Sequence, residues 1–470
     1  MEKKRQAPTC SPADRTRLTL PRVLTRLDVV SIVIGGVIGS GIFLVPAKIA
    51  LEVKSPTMML LVWVVGGFLS FLGALSFAEL GAAMPEAGGM YVYLREAYGS
   101  LLSFLFGWTL FLVIDSGAIA TLAVAFSANY LPYFFKMSPL VSKLVAVLFI
   151  GFLAAVNYIG VRWGANLQNL LTFIKSAAIF GICATIFLFG KGNPENLVEP
   201  QPGKFSMNLL SAFGVALVAT FWAYKGWESA TYSAGEVKQP ERNLPLGILI
   251  GLTAVIALYL LANLAYLYVL PSEVIARTPR VAAEAMKAAV GPAGASLISF
   301  IILFSIMGAA NQNLLCSPRV YFAMSRDGLF FRNIARVHPR YLTPHVSIIA
   351  ISLWSVVLSL SGTFEQLFTY VVFGQWLFFG LTGAAVIVLR KKRPDLPRPY
   401  KTWGYPLTPA LFVLAAFLIS LNSLLKEFWN SLAGLAIIVL GVPAYFYWKK
   451  KESGSGPGTE VESQPAGTNE

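Results

Sequence analysis

The chain has 470 residues, of which 56% are hydrophobic and 13% are charged, and its mean hydropathy is +0.66. Soluble proteins carry about 25% charged residues, so this composition excludes a soluble globular protein. The formal charge of +14 is compatible with nucleic-acid binding. However, the basic residues lie mostly in short segments between apolar runs, which indicates membrane topology and argues against a nucleic-acid partner.

Apolar runs of about 20 residues recur along the chain, and each predicts a helix that crosses the bilayer. Lys and Arg are more numerous in the segments that lie on the same side of the membrane as the N-terminus. We therefore expect both termini of this multi-pass cell-membrane protein in the cytoplasm. The tail at 1–28 is basic, and the tail at 450–470 is predicted to be disordered. The twelve predicted spans are residues 29–52, 57–82, 101–131, 139–160, 164–190, 206–234, 244–270, 292–325, 343–361, 365–389, 406–426 and 428–449.

The first predicted span contains "GVIGSGIF", and Gly35, Gly36, Gly39 and Gly41 fall within seven residues. Glycine weakens a helix by about 1 kcal/mol relative to alanine. Irregular backbone is tolerated within a bilayer only where it lines a cavity or is buried in protein, so the glycines indicate a binding site. Close helix packing is the alternative, since Gly35 and Gly39 form a GxxxG pair.

The sixth predicted span contains "FWAYKGWESATYSAGE", which Lys225 and Gly226 interrupt. Interrupted helices at corresponding places in two halves predict an inverted-repeat transporter. The first repeat would be residues 29–190 and the second would be residues 206–389. The two last helices, at residues 406–449, would lie outside the repeats.

A broken helix leaves N–H groups unpaired at one end and C=O groups unpaired at the other. The N–H groups suit a carboxylate, and the C=O groups suit an ammonium. An α-amino acid presents both groups, so the segment from Gly39 to Gly41 is a candidate substrate site to which Ser40 adds a hydroxyl.

The two stretches "GGVIGSGIF" and "FWAYKGWESATYSAGEVKQPERNLP" together resemble the amino acid–polyamine–organocation (APC) superfamily over about residues 25–425. The closer likeness is to the L-type amino acid transporter branch and its prokaryotic relatives. The resemblance implies an all-α membrane protein of twelve helices, with a LeuT-type 5+5 inverted repeat, unwound helices 1 and 6, and two extra helices. It also implies alternating-access exchange of neutral L-amino acids without sodium.

The resemblance further implies roles for individual residues. The first unwound segment would hold the substrate carboxylate, the second would face the amino group, and an aromatic residue would close over the substrate. The matching residues are Ile38, Gly39, Ser40, Gly41, Trp222, Ala223, Tyr224, Lys225 and Gly226. Lys175 matches a lysine that stands where sodium-coupled relatives bind an ion. A lysine at the centre of a span costs about 2.5–3.5 kcal/mol, so Lys175 should face a partner.

Lys225 departs from the family pattern, which usually has a small or acidic residue there. Buried charges are normally paired, so an ion pair of Lys225 with Asp115 or Glu228 is the favoured prediction. A Lys225 that faces the substrate side chain would instead select an acidic amino acid. Proton coupling through Glu228 or Asp115 is a third alternative, since carboxylates within the membrane can relay protons.

Span 8 carries the amides Asn311, Gln312 and Asn313. They are predicted either to bond Lys175 and the unwound first helix or to join neighbouring helices. The sequence has no His/Cys cluster with metal-ligand spacing and no nucleophile–base constellation at membrane depth. It therefore predicts no metal, no cofactor and no enzyme activity. A channel or a non-transporting scaffold is the other functional class, but a channel needs a continuous polar path.

The loop between spans 3 and 4, "LPYFFKMSP", contains no cysteine. Animal members of the L-type branch use a cysteine there to bond a single-pass glycoprotein, so the resemblance does not imply that partner here. The expected partners are the amino acid substrate and the lipid bilayer.

Overall fold

The computed structural model describes residues 20–198, 207–278, 280–361, 364–426 and 428–454. Within these ranges no strand occurs, and only an isolated parallel bridge joins Leu24 to Val237. The α-helices are α1 (Arg26–Val37), α2 (Gly41–Val53), α3 (Pro56–Ala83), α4 (Met90–Tyr98), α5 (Ser100–Thr109), α6 (Asp115–Val124), α7 (Pro139–Ile159), α8 (Val161–Phe189), α9 (Met207–Ala223), α10 (Pro240–Val269), α11 (Ser272–Arg277), α12 (Val281–Val290), α13 (Pro292–Cys316), α14 (Pro318–Arg326), α15 (His345–Ser361), α16 (Phe364–Lys392), α17 (Leu407–Lys426) and α18 (Phe428–Gly454).

Nine helical segments of the described chain are long and apolar enough to cross a membrane. Helices α1 and α2 add a tenth candidate, which is bent by 44° at the break between them. Helix α15 is apolar but has only 17 residues, and α16 covers the tenth predicted span. The prediction of an all-α membrane protein with many spans is therefore confirmed.

The third and eighth predicted spans are less regular than their hydropathy suggests. The turn of π-helix Leu110–Ile114 joins α5 to α6, and a second such turn, Ala125–Tyr130, follows α6. The eighth span has a joint at Ser317, where α13 ends and α14 begins with Pro318. Proline lacks an N–H group and its ring crowds the preceding turn, so this joint is a weak point of the helix.

Local capping explains where the first helix begins. The Thr25 side chain accepts from the Asp28 N–H, and the Asp28 carboxylate accepts from the Thr25 N–H, so α1 begins at Arg26. At the other end of the chain, α18 continues to Gly454, so residues 450–454 are helical although the sequence predicted disorder there. Residues 1–19 and 455–470 of the two predicted tails lie outside the described residues.

Helix α1 lies at the centre of the molecule, where it packs against α8, α10 and α13. Helix α2 packs against α9, so the halves of the first and sixth spans are neighbours. The core around them contains large buried aromatic side chains, among them Trp63, Trp227 and Tyr259. This packing brings the two interrupted spans face to face.

Candidate functional site

The break in the first span begins after Val37, and helix α2 begins at Gly41. The two glycines of the GxxxG pair have different surroundings. A Cβ atom at Gly35 would collide with Gln168 and Thr172 of α8, whereas a Cβ atom at Gly39 would have nothing within 4 Å. Gly35 therefore allows close packing of two helices, and Gly39 faces open space.

The break in the sixth span follows Ala223, and a 3₁₀-helical segment, Trp227–Glu236, begins after Gly226. The φ angle of Gly226 is +120°, which favours glycine. A Cβ atom at Gly226 would lie 2.6 Å from the carbonyl carbon of Gly36. The backbone of the second break is thus in direct contact with the last turn of α1, and a side chain at Gly226 would separate them.

A cavity of about 140 Å³ lies between the two breaks. Seven of the nine predicted substrate residues line it, together with two of the predicted polar partners. These residues are Gly39, Ser40, Gly41, Trp222, Ala223, Lys225 and Gly226, with Glu228 and Asn313. Helix α6 supplies a wall that the sequence did not predict, formed by Ala118, Thr121 and Leu122, with Ala125 just beyond it.

Other predicted residues lie behind the cavity wall. The Tyr224 hydroxyl donates to the Trp63 carbonyl at 3.3 Å and is buried. Asn311 Nδ2 donates to Gln168 Oε1 at 2.9 Å and to the Gly164 carbonyl at 3.1 Å. Asn311 therefore joins α13 to α8, which was one of the two alternatives for the amides of span 8.

Lys175 is fully buried on α8 and contacts the end of α1. Its Nζ donates to the carbonyls of Ile38 at 2.6 Å and Gly35 at 2.7 Å, and more weakly to that of Ser305 at 3.4 Å. The Ser305 hydroxyl also donates to the Ile38 carbonyl, at 3.1 Å. The carbonyls that the break releases from α1 are therefore satisfied by a lysine and a serine.

Tyr259 of α10 bridges the two breaks. Its hydroxyl is 2.9 Å from the carbonyl oxygen of Val37 and 3.2 Å from that of Ala223, the last residues of α1 and α9. One hydroxyl proton is thus shared between the carbonyl ends of the two half-helices. Sequence reasoning missed Tyr259 and Ser305, because a single hydroxyl in an apolar span gives no distinctive signal.

The ion pair predicted for Lys225 is not formed. In the described part of the chain, no carboxylate oxygen lies within 4 Å of its Nζ. The carboxylate of Glu228 instead accepts from the Gly226 N–H at 2.9 Å and from Gln375 Nε2 at 3.2 Å. Asp115 accepts from the Ser317 hydroxyl. Lys225 is half-buried and lines the cavity.

A buried ion pair joins α14 to the 3₁₀-helical segment that follows the second break. Arg319 of α14 forms a bidentate ion pair with Glu236, with N···O distances of 2.5 and 3.1 Å, and both side chains are at most 1% exposed. Tyr232 of the same 3₁₀-helical segment and Tyr321 of α14 are also buried. The residues of α6 that line the cavity are half-buried.

Comparison with known proteins agrees with this geometry. Residues 24–442 match the family model described as amino acid permease. The human cystine/glutamate transporter is 32% identical over 94% of this chain and 88% of its own length. The human b(0,+)-type amino acid transporter 1 is 32% identical over 91% of this chain and 88% of its own length.

A bacterial relative is similar over almost its whole length. The serine/threonine exchanger SteT of Bacillus subtilis is 31% identical over 92% of this chain and 98% of its own length. The family model and these relatives confirm the resemblance carried by the two glycine-interrupted motifs. The chain belongs to the amino acid permease family of the APC superfamily, and it is a membrane transporter and not an enzyme.

Proposed function

We propose that this permease exchanges L-amino acids by alternating access around the cavity between the two breaks. The single observation that carries the proposal is the direct contact of Gly226, in the second break, with Gly36 in the last turn of α1 before the first break, with a cavity beside them. Twelve spans in a LeuT-type 5+5 inverted repeat are part of the proposal. The repeats would be residues 29–190 and 206–389, and residues 406–449 would form the two extra helices.

The positive end of α2 would bind the substrate carboxylate. Helix α2 begins at Gly41, so its first N–H groups have no partner within the helix, and Ser40 and Gly39 beside them line the cavity. The carbonyl end of α9, which includes Trp222 and Ala223, would face the ammonium group. Trp222 lines the same cavity and would close over the bound amino acid.

Lys175 supports sodium-independent transport. Its ammonium group already contacts carbonyl oxygens at the end of α1, the type of ligand that a hard cation would otherwise need. A bound sodium ion at the same carbonyls would meet like-charge repulsion from Lys175.

Neutral amino acids are the proposed substrates. Lys225 and Glu228 both line the cavity, so their opposite charges offset each other next to the substrate side chain. Relatives include a serine/threonine exchanger and a large neutral amino acids transporter small subunit.

Acidic amino acids are the second candidate, because Lys225 has no carboxylate within 4 Å in the described ranges. A substrate carboxylate beside Lys225 would supply the missing ion-pair partner. A cystine/glutamate transporter is among the similar proteins.

We also propose a cell-membrane location with both termini in the cytoplasm. In that orientation the Arg319–Glu236 ion pair would be a barrier on the cytoplasmic side, and the cavity would open to the outside. The protein would work without a disulfide-linked glycoprotein subunit, because its three cysteines, Cys10, Cys183 and Cys316, leave the loop between spans 3 and 4 without a thiol.

Uptake into proteoliposomes tests both candidates. Labelled glutamate, serine, leucine and arginine are offered with and without internal amino acid, in sodium and in choline. We expect uptake of neutral substrate that requires internal amino acid and has the same rate in sodium and in choline. The Lys225→Ala variant and the control variant Lys191→Ala, which changes an exposed lysine, should both retain this uptake. If the wild type takes up glutamate, and Lys225→Ala but not Lys191→Ala abolishes this uptake, the substrates are acidic and not neutral amino acids. Uptake of no amino acid by correctly folded protein would refute both.

A further inference from the structure

Gln312 is a buried amide with an unused hydrogen-bond donor. It lies on α13, it is 2% exposed, and it lines the cavity between the two breaks. In the described part of the chain, its Nε2 has no hydrogen-bond partner. Most buried side-chain polar atoms have a partner, so an unpaired donor on a cavity wall points to a ligand that supplies the missing acceptor.

The Gln312 carboxamide packs where the two interrupted spans meet. A Cβ atom at Gly36 would lie 2.9 Å from Cδ of Gln312 and 3.1 Å from its Oε1, so the glycine makes room for the carboxamide. The carbonyl oxygen of Gly226 would lie 3.0 Å from the same Cβ atom. The amide is therefore held beside both breaks, which are the segments proposed to bind the substrate.

The neighbouring amides of α13 use their nitrogens within the protein. Asn313 Nδ2 donates to the Ala309 carbonyl at 3.0 Å, and Asn311 Nδ2 donates to Gln168 Oε1 and to the Gly164 carbonyl. In the described residues the Gln312 nitrogen neither joins α13 to another helix nor bonds its own helix. A structural role therefore does not account for this donor.

An acceptor, Glu228, lines the same cavity. Its carboxylate accepts from the Gly226 N–H through Oε2 and from Gln375 Nε2 through Oε1. A carboxylate has about four lone-pair sites, so Glu228 can also accept from a bound substrate. A carboxamide is the neutral side-chain group that presents a carbonyl acceptor and an NH₂ donor side by side. Its two ends match the Gln312 donor and the Glu228 acceptor.

We propose that Gln312 binds the side chain of the substrate and makes this permease selective for neutral amino acids that carry a carboxamide, such as asparagine. Gln312 Nε2 donates to the carbonyl oxygen of that side chain, and the Glu228 carboxylate accepts from its NH₂ group. This inference rests on the exchange proposed above and narrows its neutral substrates to one chemical class. An apolar side chain would leave the Gln312 donor unpaired, and sites built to hydrogen-bond a substrate reject such analogues.

Asparagine and leucine test the inference, because their side chains have the same size and branching and differ in polarity. Proteoliposomes loaded with an equal mixture of both receive one of them in labelled form. We expect Vmax/KM of the wild type to be about 5- to 150-fold higher for asparagine. Gln312→Met, which removes the donor, should abolish this preference by lowering asparagine exchange and keeping leucine exchange. Asn333→Leu, which changes an exposed amide in the 3₁₀ turn Arg332–Ala335, should keep the wild-type ratio.

Equal Vmax/KM of the wild type for asparagine and leucine would overturn the inference, and so would a preference that Gln312→Met retains. A loss of both exchange activities by the same factor in Gln312→Met would also overturn it, because Gln312 would then act on groups that all amino acids share. Faster exchange of aspartate than of asparagine by the wild type would overturn the neutral carboxamide as the ligand.

If Gln312→Met does not fold, Gln312→Glu is measured in its place. It replaces the Nε2 donor by an oxygen and should likewise abolish the preference for asparagine, whereas a retained preference would overturn the inference. Exchange of no amino acid by correctly folded wild type would refute the proposed function instead.

Discussion

Alanine at Gly226 should damage folding, because the position has no room for a side chain. Its φ angle of +120° is strained for an L-residue, which costs about 1–3 kcal/mol. The new Cβ would also lie 2.6 Å from the Gly36 backbone, and overpacking of this kind costs about 1–3 kcal/mol. We therefore expect Gly226→Ala to lose about 2–6 kcal/mol of stability, the sum of these two contributions.

Gly39→Ala is the matched control, since it adds the same methyl group at the other break. Nothing lies within 4 Å of its Cβ position, so stability should change by no more than about 0.5 kcal/mol. The methyl group would nevertheless project into the cavity, and we expect substrate affinity to fall.

The assay compares thermal denaturation of the purified wild type and the two variants in detergent, followed by binding of the transported amino acid. Gly226→Ala should unfold at a clearly lower temperature than the wild type. Gly39→Ala should unfold at the same temperature as the wild type but bind substrate more weakly. Equal stability of Gly226→Ala and the wild type would refute the argument that the two backbones must touch. Unchanged affinity in well-folded Gly39→Ala would refute the placement of the substrate.

Three further substitutions test the contacts around the breaks. Lys175→Met leaves the Gly35 carbonyl without its donor, at about 1–3 kcal/mol, and leaves the Ile38 carbonyl with the Ser305 hydroxyl alone. Thermal stability and uptake should therefore both fall, and wild-type stability would contradict this. Tyr259→Phe should cost about 0.5–1.5 kcal/mol and slow uptake, and an unchanged rate would show that the shared hydroxyl is dispensable. Arg319→Met leaves Glu236 unpaired, which costs about 3–5 kcal/mol. The substitution should increase the rate at which maleimide labels the buried Cys316 thiol, and labelling at the wild-type rate would exclude a barrier role for the ion pair.

Hydropathy was sufficient to locate the long helices, because each crosses an apolar medium in which backbone groups must be satisfied within the helix. The interruption at Gly39 was predictable for the same reason, as several glycines in an apolar span oppose a continuous helix. Short helices outside the long apolar runs, such as α4, α11 and α12, were not predicted. They have 9, 6 and 10 residues, too few to give a spanning signal.

The sequence predicted the partner of a charged residue only where the depth of that residue in the membrane allowed a single type of partner. Lys175 has about half a span of apolar residues on either side, so the sequence required a polar partner within the protein but did not identify that partner.

Lys225 had two acidic residues, Asp115 and Glu228, as candidate ion-pair partners. The structure shows why both failed: Glu228 accepts from the N–H of Gly226 at the start of the 3₁₀-helical segment, and Asp115 turns towards Ser317. A backbone N–H freed by the break competes for a carboxylate as effectively as a lysine does, and hydropathy does not record that competition. Helix breaks therefore determine both where a substrate can bind and which charges remain available to meet it.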